Sequence, residues 1–413
     1  MHTHAQHAQK KLTPSFSSKT KQIDAIDVTF LGTASAVPSA TRAHSSLAVR
    51  MAGEIWLFDA GEGVQLQLYK SSLKPGHVQR IFITHMHGDH VFGLPPLVAS
   101  LAQAQEAEID ANAPARVALE IYGPRGLRAY LRNALRYTYT MTSGLWCVHE
   151  LLLPGESPIL SAEQHEKDKH SCEAVGKTLY ASQTQGTILF HDILQSPHPH
   201  VCVHAAPIKH SCPCLGFVLV EEDVAGSIPS TMIQAIQRNA AAIKADWGLA
   251  QPMSLLQRIK EGESITCPDG TLLEPPPRQQ GRKLVILGDT FDPSNITPLA
   301  MDADLLIHEA TNAYLPGVPG AEVKDSDTAA SVQATARAHG HSTPDLAGAF
   351  AKRIRAKQLI MNHFSSRYKG DMADAEAAVI MDAIRQRAVD TFGSDEVMTA
   401  YDWMNVVVRR SKR

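Results

Sequence analysis

The chain has 413 residues, of which 44% are hydrophobic and 20% are charged, and its formal net charge is -3. This composition is typical of a globular protein, and it excludes a strongly basic nucleic-acid-binding field spread over the whole chain. No apolar run approaches the roughly 20 residues that span a bilayer, so we expect no membrane segment. The cysteines are scattered rather than dense, which predicts a reducing, intracellular location.

Strands and helical stretches alternate along most of the chain. The first 22 residues contain no acidic residue and predict a flexible tail, and residues 406–413 predict a basic tail at the other end. Between these tails, residues 23–405 predict one domain of the α/β class, because alternating strands and helices pack as layers. The clearest predicted strands cover residues 27–32, 203–211, 214–223, 282–290, 303–311 and 357–368.

Two segments interrupt this alternation. Residues 150–200 are irregular and predict an insertion. We expect its histidines to be solvated, namely His165, His170, His191, His198 and His200. Residues 224–262 are polar and prone to form helices, and they lie between a predicted strand and an Asp-Gly turn. This second segment predicts an arm that projects from the body.

The stretch IFITHMHGDH (81–90) ends an apolar strand with His85, His87, Asp89 and His90. One interpretation is a polar loop that follows a strand. However, packing three imidazoles and a carboxylate into so short a span has little structural benefit, because buried polar groups need partners. The cluster therefore predicts metal binding.

Other apolar strands also end in metal-capable side chains, in the segments IKHS at His210, VILGDT at Asp289 and IMNHFS at His363. Strand ends converge on one edge of a layered α/β protein, so these residues can meet although they are distant in sequence. The combined set is too large for one tetrahedral ion and fits two ions roughly 3.5–4 Å apart with a bridging carboxylate. Imidazole and carboxylate ligands suit zinc, with manganese or iron as alternatives.

Several neighbouring residues carry weaker signals. Asp59, in the turn FDAGEG, is expected to orient a ligand histidine rather than to bind metal. Arg42 could contact a phosphate or be an ordinary surface arginine, and Phe92 is expected to pack against the metal loop rather than to stack on a base. Cys212 and Cys214 form a C-x-C pair, which is a weak metal signal, and we interpret them as ordinary cysteines.

The motif THMHGDH is the signature of the metallo-β-lactamase superfamily, and the chain more narrowly resembles the tRNase Z family. The resemblance rests on FLGTASAVPSATR (30–42), WLFDAGEGVQLQL (56–68), FITHMHGDHVFGLPPL (82–97), YGPRGL (122–127), LLIHEAT, HST and NHFSSRY. It implies a four-layer αβ/βα sandwich with a protruding arm. It also implies a homodimeric, zinc-dependent endoribonuclease that removes the 3′ trailer from precursor tRNA and leaves a 3′-hydroxyl.

The resemblance also divides the candidate ligands between two zinc ions. It implies that the first ion is held by His85, His87 and His210. It implies that the second is held by Asp89, His90 and His363, with Asp289 bridging the two.

The resemblance further implies three catalytic residues. Asp89 would orient and deprotonate the attacking water, while Glu309 of HEAT and His341 of HST would pass a proton to the leaving group. From the residues alone, His341 could equally be a helix N-terminal residue that precedes the cap at Ser342 or Thr343. We expect His308 to be structural, because it points to the opposite side of its strand.

Two other functions compete with tRNA processing. One is a superfamily hydrolase that acts on a small molecule, such as a cyclic-nucleotide phosphodiesterase or an arylsulfatase-type enzyme. The arm-like segment and the HEAT and HST motifs favour tRNA, although residues 221–280 carry more acidic than basic side chains. The second competing function is that of a non-catalytic RNA-binding homologue. Such a homologue would be expected to lack some of the candidate metal ligands that this chain retains.

Overall fold

The computed structural model of the chain describes residues 25–104, 117–184, 186–196 and 200–410. The strands form two eight-stranded sheets, and a short two-stranded hairpin stands apart from them. The predicted tail 1–22 lies outside the described residues. Among the described helices, none has both the length and the apolar character required to cross a bilayer.

The first sheet combines the N-terminal part of the chain with its last strand. In spatial order its strands are β18 (Asn405–Val408), β1 (Ile26–Gly32), β2 (Ser46–Met51), β3 (Glu54–Phe58), β4 (Val78–Phe82), β5 (Val117–Pro124), β6 (Leu145–Leu152) and β7 (Thr178–Tyr180). Neighbours from β18 to β3 are antiparallel, and neighbours from β3 to β7 are parallel.

The second sheet is built from the C-terminal part of the chain. In spatial order its strands are β17 (Val397–Thr399), β16 (Leu359–Asn362), β15 (Leu305–Glu309), β14 (Lys283–Leu287), β11 (Cys214–Glu221), β10 (Val201–Ile208), β9 (Thr187–Ser196) and β8 (Ser182–Thr184). Neighbours from β8 to β14 are antiparallel, and neighbours from β14 to β17 are parallel. Consequently β10, β14, β15 and β16 all run in one direction and end at the same edge.

Alternation along the strands places one core between the sheets and one core outside each sheet. In β14, Ile286 faces the central core, where Phe30 and Phe217 also lie, whereas Val285 faces outward. The helices are α1 (Val64–Lys70), α2 (Gly88–Val91), α3 (Leu94–Ala104), α4 (Leu127–Tyr137), α5 (Ala162–Asp168), α6 (Ser230–Arg238), α7 (Ala240–Trp247), α8 (Leu255–Lys260), α9 (Thr297–Ala300), α10 (Ala329–Ala338), α11 (Pro344–Arg353) and α12 (Ala375–Phe392). Helices α1, α3 and α4 cover the first sheet, and α11 and α12 cover the second, which confirms the predicted four-layer sandwich.

Residues 230–273 form a lobe with a hydrophobic core of its own. Helices α6, α7 and α8 and the hairpin of β12 (Ile265–Thr266) and β13 (Leu272–Leu273) bury Met232, Ile236, Ile243, Leu255 and Ile259 together. The chain leaves and re-enters the body where Val224 and Gln279 pair, with N···O distances of 3.0 and 2.9 Å. The segment 224–262, predicted to be an arm, supplies the helices of this lobe.

Residues 150–200, predicted to be an insertion, contribute β7 to the first sheet and β8 and β9 to the second. Two of their histidines, expected to be solvated, are instead buried: His165 and His170 are 7% and 8% exposed. The physical reason is a buried polar cluster, in which Arg132 contacts His165 and donates to Glu173 at 2.7 Å. Of the others, His191 is exposed, His200 is half-buried and His198 lies outside the described residues.

The predicted basic tail 406–413 begins too early. Residues 406–408 belong to β18 and pair with β1 as far as Val408. The following Arg410 contacts Glu221, which also accepts a hydrogen bond from the buried Arg282 at 2.8 Å. The chain is therefore anchored to the body through residue 410 by a ladder of backbone hydrogen bonds and then by a buried carboxylate.

Candidate metal centre and catalytic site

Strands of both sheets end at the candidate site. His85 follows β4 of the first sheet, while His210, Asp289 and His363 follow β10, β14 and β16 of the second. The structure brings all the predicted ligands together in two groups, one containing His85, His87, His210 and Cys212 and the other containing Asp89, His90, Asp289 and His363. Within each group the potential donor atoms lie within 4.8 Å of one another.

The first group contains imidazole nitrogens that lie close to one another. His210 Nδ1 donates to the carbonyl oxygen of Gly340 at 2.8 Å, so a neutral ring carries its lone pair on Nε2. That atom lies 3.1 Å from His87 Nδ1. Among the described residues, His85 Nε2 is buried and has no hydrogen-bond partner. A cation between these nitrogens would satisfy all of them.

Gly340 is required at its position by both space and backbone conformation. Its φ of 88° lies in the left-handed region that side chains disfavour. A Cβ added there would also lie 2.6 Å from His210 Nδ1. Glycine therefore lets the carbonyl approach the histidine and fix its tautomer.

The second group shows the same arrangement. His90 Nδ1 lies 2.7 Å from Asp59 Oδ2, and Asp59 also accepts from the backbone N–H of Thr84 at 2.7 Å. The ring therefore turns its Nε2 toward His363 Nε2, which is 3.2 Å away. Asp59 thus orients a histidine from behind, which confirms its predicted role. Asp59 and His363 adopt φ values of 60° and 59°, and such strain is concentrated at functional sites.

Asp289 lies between the two groups. Its Oδ2 is 3.8 and 4.0 Å from the Nε2 atoms of His85 and His210 in the first group. The same oxygen is 3.4 and 3.2 Å from the Nε2 atoms of His90 and His363 in the second. Burial by itself would raise the pKa of Asp289, but the charges of His363 and His90 hold this pKa well below its usual range. The carboxylate is therefore ionised, which is the form that could bind a metal ion.

Asp89 is held at the mouth of the site by the loop after β1. Its Oδ2 accepts the backbone N–H of Ala36 at 2.8 Å and lies 3.4 Å from His363 Nε2. Burial would raise the pKa of Asp89, but the hydrogen bond from His363 and the charge of His90 lower it below the ordinary value. Asp89 is therefore a carboxylate that can accept hydrogen bonds at neutral pH.

His341 and Glu309 form an ion pair beside Asp289. His341 Nδ1 is 3.1 Å from Glu309 Oε1 and 3.7 Å from Asp289 Oδ2. Glu309 is fixed by the backbone N–H of Thr290 at 2.8 Å and the hydroxyl of Thr311 at 2.7 Å. Burial would lower the pKa of His341, but the hydrogen bond and charge of Glu309 raise it to about 9. The ring is therefore a proton donor at neutral pH.

His341 lies two residues before Thr343, the N-cap residue of the following helix, so it precedes the cap as the alternative interpretation predicted. Helix α11 begins after Thr343, whose side chain makes no capping hydrogen bond, and Ser342 Oγ donates to the carbonyl oxygen of Thr290 at 2.6 Å. The neighbouring His308 is fully buried, and its Nδ1 donates to the carbonyl oxygen of Glu309 at 2.7 Å. This position agrees with the structural role predicted for His308.

Arg42 and Phe92, which carried weaker signals in the sequence, lie outside the two groups of candidate ligands. Arg42 is only 1% exposed, so neither a phosphate contact nor an ordinary surface position is correct. Its guanidinium instead donates to the carbonyl oxygens of Tyr368 and Ala400 at 2.7 and 2.9 Å and joins distant loops. Phe92 is 63% exposed, and its ring lies against Gly88 of the metal loop.

Sequence reasoning missed the residues that support the predicted ligands. Thr84 donates its hydroxyl to Asp59 Oδ2 at 2.8 Å, and the Thr311 hydroxyl also lies 3.1 Å from His363 Nδ1. Both threonines lie beside residues of the predicted motifs, and this position in the sequence was the signal that could have identified them. Cys212 also belongs to the first group, and its signal was its position two residues after His210.

Comparisons with known proteins match either part of the chain or almost all of it. A family model described as "Anti-Pycsar protein Apyc1" matches residues 26–134. The chain is 36% identical to a Zinc phosphodiesterase ELAC protein 1 of Mus musculus, with 92% of this chain and 97% of the relative covered. It is 31% identical to a Ribonuclease Z of Bacillus subtilis (strain 168), with 93% and 100% covered.

Solved structures give the same result. The crystal structure of human tRNase Z, short form (ELAC1), matches with a TM-score of 0.55 and 30% identity, and it covers 92% of this chain and 99% of that chain. A long form RNase Z from yeast shares 14% identity at a TM-score of 0.51, which shows the fold alone. Because relatives at 30% identity or more match nearly end to end, the chain belongs to the ribonuclease Z (tRNase Z) family, which has the metallo-β-lactamase fold.

Proposed function

We propose that this chain is a metal-dependent endoribonuclease that removes the 3′ trailer of precursor tRNA. It hydrolyses one phosphodiester bond and leaves a 3′-hydroxyl on the tRNA. The observation that carries the proposal is the pair of facing imidazole groups around one ionised carboxylate, placed beside a protonated histidine. Membership of the ribonuclease Z family supports RNA as the substrate.

The site would hold two divalent cations, zinc by preference and manganese or iron as alternatives. The first would be bound by His85, His87 and His210, and the second by Asp89, His90 and His363, with Asp289 between them. The facing nitrogens at 3.1 and 3.2 Å and the unpartnered His85 Nε2 in the described chain support this assignment. Bound cations would neutralise phosphate oxygens and lower the pKa of water toward about 7.

The chain's own residues would handle the protons. The Asp89 carboxylate would accept a proton from the attacking water, because it is ionised and lies beside both His90 and His363. His341 would donate its proton to the departing ribose oxygen, and Glu309 would hold the ring in place and keep it protonated. The attacking water and the departing oxygen would then each have a dedicated group.

The lobe formed by residues 230–273 would bind the tRNA away from the reaction. Its own core makes it a separate unit, and Arg238, Lys244 and Trp247 are exposed on it. Cations and an aromatic side chain are the groups that bind phosphates and bases. The family resemblance further predicts a homodimer, which sedimentation of the purified protein would test.

Cleavage of a precursor tRNA that carries a 3′ trailer tests this function directly. We expect one cut after the discriminator nucleotide and a 3′-hydroxyl product, together with about two metal ions per chain by elemental analysis. The substitution His87→Ala should abolish cleavage with little loss of stability, because the site rests on a packed sheet edge. Hydrolysis of small phosphodiesters without any cut in precursor tRNA would instead favour the small-molecule hydrolase.

A further inference from the structure

A cavity of about 420 Å³ lies at the root of the lobe, between the lobe's connections and the body of the protein. We call the two connecting segments, residues 224–229 and 274–281, the neck. Pro276, Pro277 and Arg278 of the neck form one wall of the cavity, and residues of the body form the other. The volume lies within the range of about 300–1,000 Å³ that is usual for small-molecule sites.

The cavity is separate from the metal centre. Arg282, Asp304 and Lys357 line it, and they precede β14, β15 and β16, whereas the metal centre lies where β14 and β16 end. At about 3.3 Å per residue, the extended chain from Arg282 to Asp289 spans roughly 20 Å. A ligand in the cavity would therefore bind at the edge of the second sheet that lies opposite the candidate catalytic residues.

Cations from separate parts of the chain meet around this cavity. Arg278 belongs to the neck, and Arg282 directly precedes β14. Lys357 lies just before β16, and Arg410 follows β18. Among the described residues that line the cavity, Asp304 is the one acidic side chain, and it pairs with Lys357 at 2.6 Å. The remaining lining is therefore positively charged.

The nearby carboxylates outside the lining do not balance this charge. Glu221 is buried and contacts both Arg282 and Arg410, so one carboxylate serves two guanidinium groups. Arg278 contacts the carbonyl oxygen of Asp223, and in the described part of the chain it forms no ion pair with a carboxylate. The Asp223 carboxylate itself accepts a backbone N–H at 2.9 Å. An anion in the cavity would compensate the excess positive charge, and arginine is well suited to bind phosphate.

The uncharged part of the lining suits a flat group with hydrogen-bonding edges. Pro276 and Pro277 offer apolar ring faces. Gln279 and Gln280 also line the cavity, and a glutamine amide both donates and accepts hydrogen bonds. A nucleotide combines the two kinds of group that this lining selects, since it carries an anionic phosphate and a planar base.

We propose that this cavity binds a mononucleotide, with its phosphate held by Arg278 and Arg410 and its base against Pro276 and Pro277. Arg278 belongs to the neck and Arg410 to the body, so the bound nucleotide joins the two. Binding itself is independent of the proposed function. If the lobe binds tRNA as proposed, the nucleotide also fixes the orientation of a substrate-binding unit at a distance from the metal centre.

Calorimetric titration of the full-length chain with AMP tests the proposal. The chain would first be stripped of metal with a chelator, so that no metal ion is present to bind the phosphate. We expect one AMP per chain. Inorganic phosphate and adenosine should each bind at least about tenfold more weakly, because each lacks one half of the contacts.

Arg278→Gln supplies the decisive variant. It removes the neck's cation from an exposed position, so the fold should be retained, and the affinity for AMP should fall about tenfold or more. Arg355→Gln is the matched control, because Arg355 is an exposed arginine at the same edge of the sheet that pairs with Asp302 at 2.7 Å. This control should bind AMP as tightly as the wild type does.

Hydrogen exchange then locates the bound nucleotide. AMP should slow amide exchange in the neck of the wild type but not in Arg278→Gln, and it should leave exchange at residues 85–90 unchanged. The inference is overturned if the wild type binds no AMP, if Arg278→Gln binds it equally well, or if phosphate alone binds as tightly. Protection confined to residues 85–90 would also overturn it. Neither measurement uses RNA cleavage, so a failure here leaves the proposed function standing.

Discussion

His341 allows the sharpest test of the catalytic assignment. Its pKa is raised from 6.5 to about 9 by Glu309, so the ring is protonated at pH 7.5. At about 1.36 kcal/mol per pKa unit, this difference corresponds to ~3 kcal/mol in favour of the charged ring. The substitution His341→Gln keeps a polar side chain but removes the proton donor. We expect kcat for precursor tRNA to fall by roughly 10²–10⁴, the usual contribution of a general acid.

The leaving group distinguishes proton donation from a structural effect. Single-turnover rates would be measured with precursor tRNA and with an aryl phosphodiester, whose phenolate departs without a proton. His341→Gln should slow only the RNA reaction. His341 can donate a proton only while it is protonated. We therefore expect wild-type activity on RNA below pH 9 and its loss as the pH rises through about 9. The variant should lack this alkaline limb.

His339 supplies the control for this experiment. It is an exposed histidine two residues away, and its Nδ1 lies 2.8 Å from the carbonyl oxygen of Thr335. His339→Gln should leave both substrates and the pH profile unchanged. Equal losses on the two substrates in His341→Gln, or an alkaline limb that survives the substitution, would refute the assignment of His341 as general acid.

Further predictions concern the metal support, the lobe and the buried ion pair. Asp59→Asn should weaken metal binding by roughly 10- to 100-fold in a chelator competition, because His90 loses its orienting carboxylate. Replacing residues 226–277 with a two-residue turn should raise KM for precursor tRNA by about tenfold or more, which is equivalent to at least ~1.4 kcal/mol of binding free energy. The same variant should hydrolyse an aryl phosphodiester as the wild type does. Equal losses on the two substrates would show that the lobe belongs to the body. Burial would raise the pKa of Glu221, but the hydrogen bonds and charge of Arg282 lower it. The ionised Glu221 therefore stabilises the folded protein above the carboxyl's unfolded pKa of about 4.5, and this stabilisation is lost at lower pH. Calorimetry should therefore show a shallower acid loss of Tm in Glu221→Gln than in the wild type, and parallel curves would contradict this.

The sequence by itself determined the layered fold and the set of candidate ligands. Both follow from local patterns: apolar strands alternate with helices, and the strands before His85, His210, Asp289 and His363 end in metal-capable side chains. Because parallel strands finish at one edge, this local pattern also predicts which residues meet. The roles expected for Glu309 and His341 came instead from the family resemblance of the HEAT and HST motifs.

Only the tertiary structure decided which polar residues are buried and what they contact. Arg42, His165 and His170 are hydrophilic side chains, yet each is buried in the folded chain. The sulfur of Cys212 joins the histidines of the first group only because the turn after β10 folds back onto the end of β4. Burial and long-range contact depend on how layers pack, and a linear pattern of side chains does not contain that information.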